Sequence, residues 1–178
     1  LLAGVAVAEA VRRLAELDAR LKWPNDLLVD GAKCAGVLAE AVPGDGPAQP
    51  PAIVVGVGLN VTLRADELPA NPTGLPATSL QLAGATATDR DPLLRALLRS
   101  LADWYERWRA AGGDAEASGL RAAYLAGCAT VGRQVRVLLP DGREAHGTAT
   151  GVDPDGQLLV ATPTETLHLA AGDVLHLR

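Results

Sequence analysis

Apolar positions recur with two different periods along this chain. Over residues 2–17 they return every three to four residues. Val7, Ala10, Val11, Leu14 and Leu17 fall on one face, with Glu9, Arg12, Arg13 and Glu16 mostly on the other, which predicts an amphipathic helix. Leu21 to Trp23 reads as extended, because Pro24 biases its predecessor away from helix. Leu27-Leu28-Val29 predicts a strand, Asp30-Gly31 a turn, and residues 35–40 the returning partner strand. Residues 43–51, rich in Gly and Pro, predict a flexible hairpin tip. Residues 53–61 (Ile-Val-Val-Gly-Val-Gly-Leu-Asn-Val) are almost continuously apolar, which predicts a central strand buried on both faces. Residues 63–78 lose periodicity and are interrupted by prolines, so they predict a long loop of the kind that serves as a lid.

In the second half, Asp91-Pro92 predicts a helix start, with Asp91 as cap and Pro92 in the first turn. Leu93, Leu97, Leu101, Trp104 and Trp108 carry this helix to Gly112-Gly113. A shorter helix is predicted over residues 115–125. Beyond Cys128 the period drops to two. Runs at 134–139, 144–151, 157–161, 164–169 and 173–177 are broken by Pro140-Asp141-Gly142 and Pro154-Asp155-Gly156. Five closely spaced strands predict a small β-barrel. The boundary falls near Ala129, giving one domain over residues 1–128 and a second over 129–178.

Length and charge narrow the class of function. A chain of 178 residues fits one mid-sized domain with a small appendage. Its net charge of −5 is spread along the chain with no basic stripe, which argues against general nucleic-acid binding. The apolar opening stretch is too short to span a bilayer and is broken by Glu9, with no leader pattern around it. A cytoplasmic protein without membrane contact is expected. Cys34 and Cys128 are far apart and match no metal-ligand spacing, so they read as free thiols and no metal site is expected. The chain contains no Met, and Leu1 runs into a helix with no capping residue, as expected for a segment of a longer protein.

Candidate chemistry is concentrated in the first third. Lys33 follows a turn and leads into an otherwise apolar strand, where a charge is costly unless it has a partner or a task. Its ammonium suits a carboxylate or phosphate oxygen; a solvated hairpin lysine is the plainer alternative. Asn25 and Asp26 follow Pro24 at a strand end, where ordinary turn chemistry is equally expected, and Trp23 reads as a core residue. Gly56 and Gly58 would let a ligand or another backbone approach their strand closely. Asn60 beside them could offer a donor and an acceptor to a purine edge.

Taken in order, Lys22-Trp23-Pro24-Asn25-Asp26, then Lys33-Cys34-Ala35-Gly36-Val37-Leu38, then Gly56-Val57-Gly58-Leu59-Asn60 resemble the biotin–protein ligase family in sequence and spacing. The resemblance runs to the closing Gly172-Asp173-Val174 and Leu177-Arg178. It implies an α/β (α+β) fold, with a mixed sheet of the class II synthetase type, flanking helices and an SH3-like terminal barrel. It also implies ATP-dependent biotinylation of a lysine on the biotin carboxyl carrier domain of an acyl-CoA carboxylase, with biotin as substrate and ATP and Mg²⁺ as co-substrate and ion.

On this resemblance Lys33 would neutralise the reacting carboxylate and α-phosphate, and Asp26 would orient the acceptor lysine or take its proton. Asn25 would lie beside the phosphate and Mg²⁺. Gly56, Gly58 and Asn60 would line the biotin and adenine side, with Gly36 and Val37 against biotin and Arg178 reaching back toward the nucleotide. The loop over residues 63–78 would cover adenine, without a tryptophan to stack on it. The family's upstream Gly-Arg-Gly-Arg-rich loop has no counterpart in these residues, so impaired adenylation by the chain alone is expected. So is the absence of a DNA-binding winged helix. A lipoate-type ligase and a non-catalytic nucleotide- or carrier-binding module remain alternatives, and weak homodimerisation through the sheet stays open.

Overall fold

In the computed structural model, residues 1–43, 51–69 and 74–177 are described. The hairpin tip expected over 43–51, the middle of the expected lid and Arg178 therefore lie partly or wholly outside the described residues. Three helices and two antiparallel sheets make up the described fold.

Helix α1 (Leu2–Ala15) opens with no side-chain cap and ends where Glu16 turns left-handed at φ 56°, two residues before the expected end. It packs against α2 (Arg90–Ala110), α3 (Leu120–Gly127) and strands β1 (Ala19–Lys22) and β2 (Asp26–Val29). Val7 and Val11 are almost fully buried beneath it, each burial contributing on the order of 1.5–3 kcal/mol. Arg12 on its polar side still works structurally, donating twice to the Ala19 carbonyl at 2.9 and 2.6 Å.

The first sheet has the order β1-β2-β3-β4, with β3 at Ala32–Val42 and β4 at Ala52–Leu59. Pairing between its named strands is antiparallel; among the described residues, parallel pairing is confined to two isolated bridges, Leu21 with Cys128 and Lys33 with Ala77. The β2–β3 hairpin turns through Asp30 and Gly31, both at positive φ, the geometry that matches the twist of flanking strands. Strand β4 differs from expectation. It is paired on one side with β3, and Ile53, Val54 and Val55 are 60%, 54% and 39% exposed. Val57 and Leu59 in its second half pack against the core beside α1 and α2, whereas its first half lies open.

Helix α2 is capped two residues earlier than expected. Asp89, not Asp91, accepts the Asp91 N–H at 3.1 Å, and Pro92 is tolerated because the first-turn N–H groups have no intrahelical partner. Helix α3 begins at Leu120 and not near 115, because Gly119 is left-handed at φ 75° and residues 114–118 form turns on the Asp114 carboxylate.

The second sheet contains β5 (Gln134–Leu138), β6 (Glu144–Val152), β7 (Leu158–Ala161), β8 (Thr166–Leu169) and β9 (Asp173–His176), in the order β8-β7-β6-β5-β9. All five expected strands are present. They form an open sheet and not a closed barrel, since no pairing joins β8 to β9 among the described residues. Val135, Val137, Ala149, Val152, Leu158 and Val160 alternate inward and are fully buried, the period-two core of a half-buried sheet.

Candidate functional site

The site grows from the join of β1, β2 and β3. Trp23-Pro24, a cis peptide bond, turns the chain between β1 and β2. Trp23 is 1% exposed, and its indole N–H donates to the Gly156 carbonyl at 2.9 Å. The chain on either side of it is also tied to the region before β5. The Ala129 N–H donates to the Leu21 carbonyl at 2.7 Å, and the Trp23 N–H donates to Thr130 Oγ1 at 3.2 Å. Thus the turn that presents Asn25 and Asp26 is clamped against the second sheet.

Asp26 is nine-tenths buried and faces two ammonium groups. Its Oδ1 lies 2.5 Å from Lys33 Nζ, and its Oδ2 accepts from Lys22 Nζ at 3.4 Å. The lysines differ in access: the Lys22 side chain is 8% exposed and that of Lys33 is 37% exposed. One carboxylate between two ammoniums leaves a net positive charge, and only Lys33 presents it to solution. At an effective dielectric constant of 20, an anion about 4 Å away would gain about 4 kcal/mol.

A bulge brings this about. Asp26 pairs with Gly36, Leu27 with Ala35 and Leu28 with Lys33, which leaves Cys34 without a partner in the ladder. Lys33 and Gly36, three apart, would face opposite ways on a regular strand. The extra residue puts both on the Asp26 face. Cys34 itself is buried, and burial pushes its thiol up to about 11, so it stays protonated and unreactive.

Glycine continues the platform beside Lys33. Gly58 pairs with Gly36, and Gly56 with Leu38. A Cβ on Gly36 would meet Lys33 Cε at 3.5 Å and Nζ at 3.6 Å, so the bare backbone gives that side chain room to cross. A Cβ on Gly56 or Gly58 would come no nearer than 3.9 Å to other atoms. Nothing within the described chain requires glycine there, whereas a ligand lying flat on the strand would.

Asn25 and Val37 are joined by a reciprocal pair of bonds. The Val37 N–H donates to the Asn25 carbonyl at 2.8 Å, and Asn25 Nδ2 donates to the Val37 carbonyl at 2.9 Å. Asn25 is exposed, and its amide oxygen has no hydrogen-bond partner among the described residues. Asn60 is tied to the end of the expected lid. Its Nδ2 donates to the Thr78 carbonyl at 3.0 Å, while Lys33 N–H donates to Pro76 and Thr78 N–H to Lys33. The end of the expected lid is therefore stitched along β3 beside Lys33, with one of the two Asn60 amide N–H donors engaged in it.

Thr130 and His176 escaped the sequence reading, and Lys22 entered it only as part of the motif, without a role. His176 Nε2 lies 3.1 Å from Thr130 Oγ1. Burial, followed by the charges of Lys22 and Arg133, lowers this imidazole to about 4. The four-residue step from Lys22 to Asp26 was the available signal for Lys22. Nothing in the sequence tied Thr130 or His176 to the first sheet. Tyr124 has a buried hydroxyl without a nitrogen or oxygen partner among the described residues; burial pushes its pKa up, reinforced by the neighbouring Cys128 and by the Asp26 charge.

Comparison with known proteins follows the same division of the chain. Residues 1–122 match the biotin/lipoate A/B protein ligase family, and residues 130–177 match the biotin protein ligase C terminal domain. The biotin–[acetyl-CoA-carboxylase] ligase of Mycobacterium tuberculosis is 39% identical over 181 residues, covering 100% of this chain and 62% of the relative. That of Paracoccus denitrificans is 33% identical, covering 86% of this chain and 61% of the relative. The chain thus spans somewhat over three-fifths of these relatives' length. Among solved structures, the biotin protein ligase from Aquifex aeolicus in complex with biotin and ATP superposes with a TM-score of 0.77 at 24% identity, over 99% of this chain and 69% of that one. This last likeness shows the fold.

Proposed function

Since this chain belongs to the biotin/lipoate A/B protein ligase family, we propose that it carries the charge-handling part of an ATP-dependent biotin–protein ligase. Biotin's carboxylate would attack the α-phosphate of ATP, forming biotinyl-5′-AMP and releasing pyrophosphate. A lysine amine of a biotin carboxyl carrier domain would then attack the acyl carbon, releasing AMP and a proton. The observation that carries this reading is Lys33: an ammonium 37% exposed, 2.5 Å from a buried carboxylate, beside a strip of glycines.

In this reading Lys33 leaves Asp26 Oδ1 for the oxygens of the carboxylate and α-phosphate as charge collects there, a preorganised electrostatic role. The oxygen it vacates then receives the incoming acceptor lysine, so Asp26 orients that amine or takes its proton. Gly36 and Val37 lie against biotin; Gly56 and Gly58 form the floor of the nucleotide side. Asn60 acts by holding residues 76–80 in place beside them. Mg²⁺ would enter with ATP and balance phosphate charge, and Asn25 Oδ1 would suit it. Arg178 would reach the nucleotide from the chain's end. Residues 1–128 are read as the catalytic domain and 129–178 as its C-terminal partner, in a cytoplasmic protein.

Biotin is favoured over lipoate by the match of residues 130–177 to the biotin protein ligase C terminal domain. The test is ATP–pyrophosphate exchange by the 178-residue chain with biotin or lipoate, beside Lys33→Ala. Biotin-dependent exchange lost in the variant supports the reading. Exchange with lipoate alone reassigns the substrate. Silence with both, together with calorimetric binding of ATP or the carrier domain, leaves a binding module.

A further inference from the structure

Asp26 keeps both ammoniums only if Lys22 is aimed at Oδ2, and Lys22 is the last residue of β1. Its direction is set by the peptide that joins it to Trp23. That peptide's N–H donates to Thr130 Oγ1, and the same hydroxyl bonds His176 Nε2 on β9. Thr130 is fully buried. A hydroxyl that accepts from Trp23 still has its own proton to give to an uncharged imidazole. One side chain therefore fastens the end of the first sheet's outer strand to the last strand of the second sheet.

The surroundings suit an uncharged imidazole. Burial, followed by the positive charges of Lys22 on β1 and Arg133 on the approach to β5, disfavours a proton on His176. A cation in its place would repel Lys22 and favour its release from Asp26.

We propose that Thr130 and His176 are positioning residues for the Lys22–Asp26–Lys33 group, acting through the Lys22–Trp23 peptide. The proposal rests on the reading of that group as an adenylation and transfer site. It gives the second sheet a direct part in setting the charge geometry of the first.

The experiment compares Thr130→Val, Thr130→Ser, His176→Lys and His176→Gln in the 178-residue chain. Two quantities are read: hydrogen exchange at the Trp23 amide, and kcat and KM for ATP in biotin-dependent pyrophosphate exchange. Thr130→Val should expose the Trp23 amide while amides of β6 keep their protection. It should also lower kcat roughly tenfold with KM for ATP unchanged. Serine at 130 should restore both quantities. His176→Lys should lower kcat to a similar extent, and His176→Gln should recover most of that loss.

Wild-type kcat in both Thr130→Val and His176→Lys would overturn the proposal. So would a loss of protection shared by β6, which would mark a purely structural role. A wild-type chain silent in pyrophosphate exchange would show the impaired adenylation expected of these residues alone, and would leave the positioning link to the other quantity. The positioning link would then stand or fall on Trp23 protection in Thr130→Val against Thr130→Ser.

Discussion

Lys33 and Asp26 face each other only because Cys34 drops out of the ladder between β2 and β3. The bulge spends a backbone pairing to turn an ammonium toward a carboxylate. In the buried setting around Asp26, that carboxylate would otherwise have Lys22 alone.

Replacing Asp26 with Asn separates the two chemical steps. The carboxamide cannot neutralise either lysine and cannot take a proton. Transfer from preformed biotinyl-5′-AMP to a carrier domain should fall about a hundredfold or more, the usual scale for a lost general base. Pyrophosphate exchange, which depends chiefly on Lys33, should fall less. Single-turnover transfer measured beside steady-state exchange checks the difference; equal losses would argue against an acceptor-lysine role.

Lys22→Met should act on stability. Removing one partner from a buried ion pair commonly costs ~3–5 kcal/mol, but Asp26 retains Lys33, so a loss of about 2 kcal/mol is expected. A lower urea midpoint at unchanged m-value is the expected signature.

Gly36→Val should block the path by which Lys33 crosses to Asp26, because even a Cβ there lies 3.5–3.6 Å from its terminal atoms. Exchange should drop tenfold or more, about 1.4 kcal/mol, with an unchanged circular dichroism spectrum. Gly36→Ala should be tolerated. In Gly58→Val, where a Cβ meets nothing nearer than the Gly36 carbonyl oxygen at 4.0 Å, a rise in KM would report a ligand lying on the strand.

His176 sets an acid limit on stability. Its folded-state value of about 4 lies below the ordinary 6.5, so in that interval the unfolded chain binds a proton that the folded chain does not. Stability is therefore complete above pH 6.5 and declines as pH falls toward 4, with a slope no steeper than about 1.4 kcal/mol per pH unit. Asp153 acts elsewhere. Burial alone would raise its carboxyl, but N–H groups of Gln157 and Asp155 and the His168 ring hold it below the ordinary 3.8, so its contribution is lost only in stronger acid. Urea midpoints at pH 7, 6 and 5 should converge in His176→Gln and spread in the wild type.

Local periodicity was enough to place α1, the β2–β3 hairpin and the five C-terminal strands, because each rests on its own sequence. Asn25, Asp26, Lys33 and Gly36 were legible for the same reason: they share one hairpin. What depended on distant partners was not. The burial of β4 is decided by whatever lies over it, and the task of Asn60 by residues 76–80. The bond from Thr130 to Trp23 spans 107 residues. Helix starts moved for local reasons that two competing caps, Asp89 and Asp91, left unresolved in the sequence.

The exposed strand β4 has a practical consequence for handling this chain. Ile53, Val54 and Val55 line an edge whose outward N–H and C=O groups have no partner among the described residues. Such an edge accepts another strand from solution through main-chain bonds and apolar contact together. Colloidal behaviour, and not unfolding, then sets the upper limit on working concentration. Light scattering from the folded chain should rise with protein concentration, and a lysine at position 54 should suppress it.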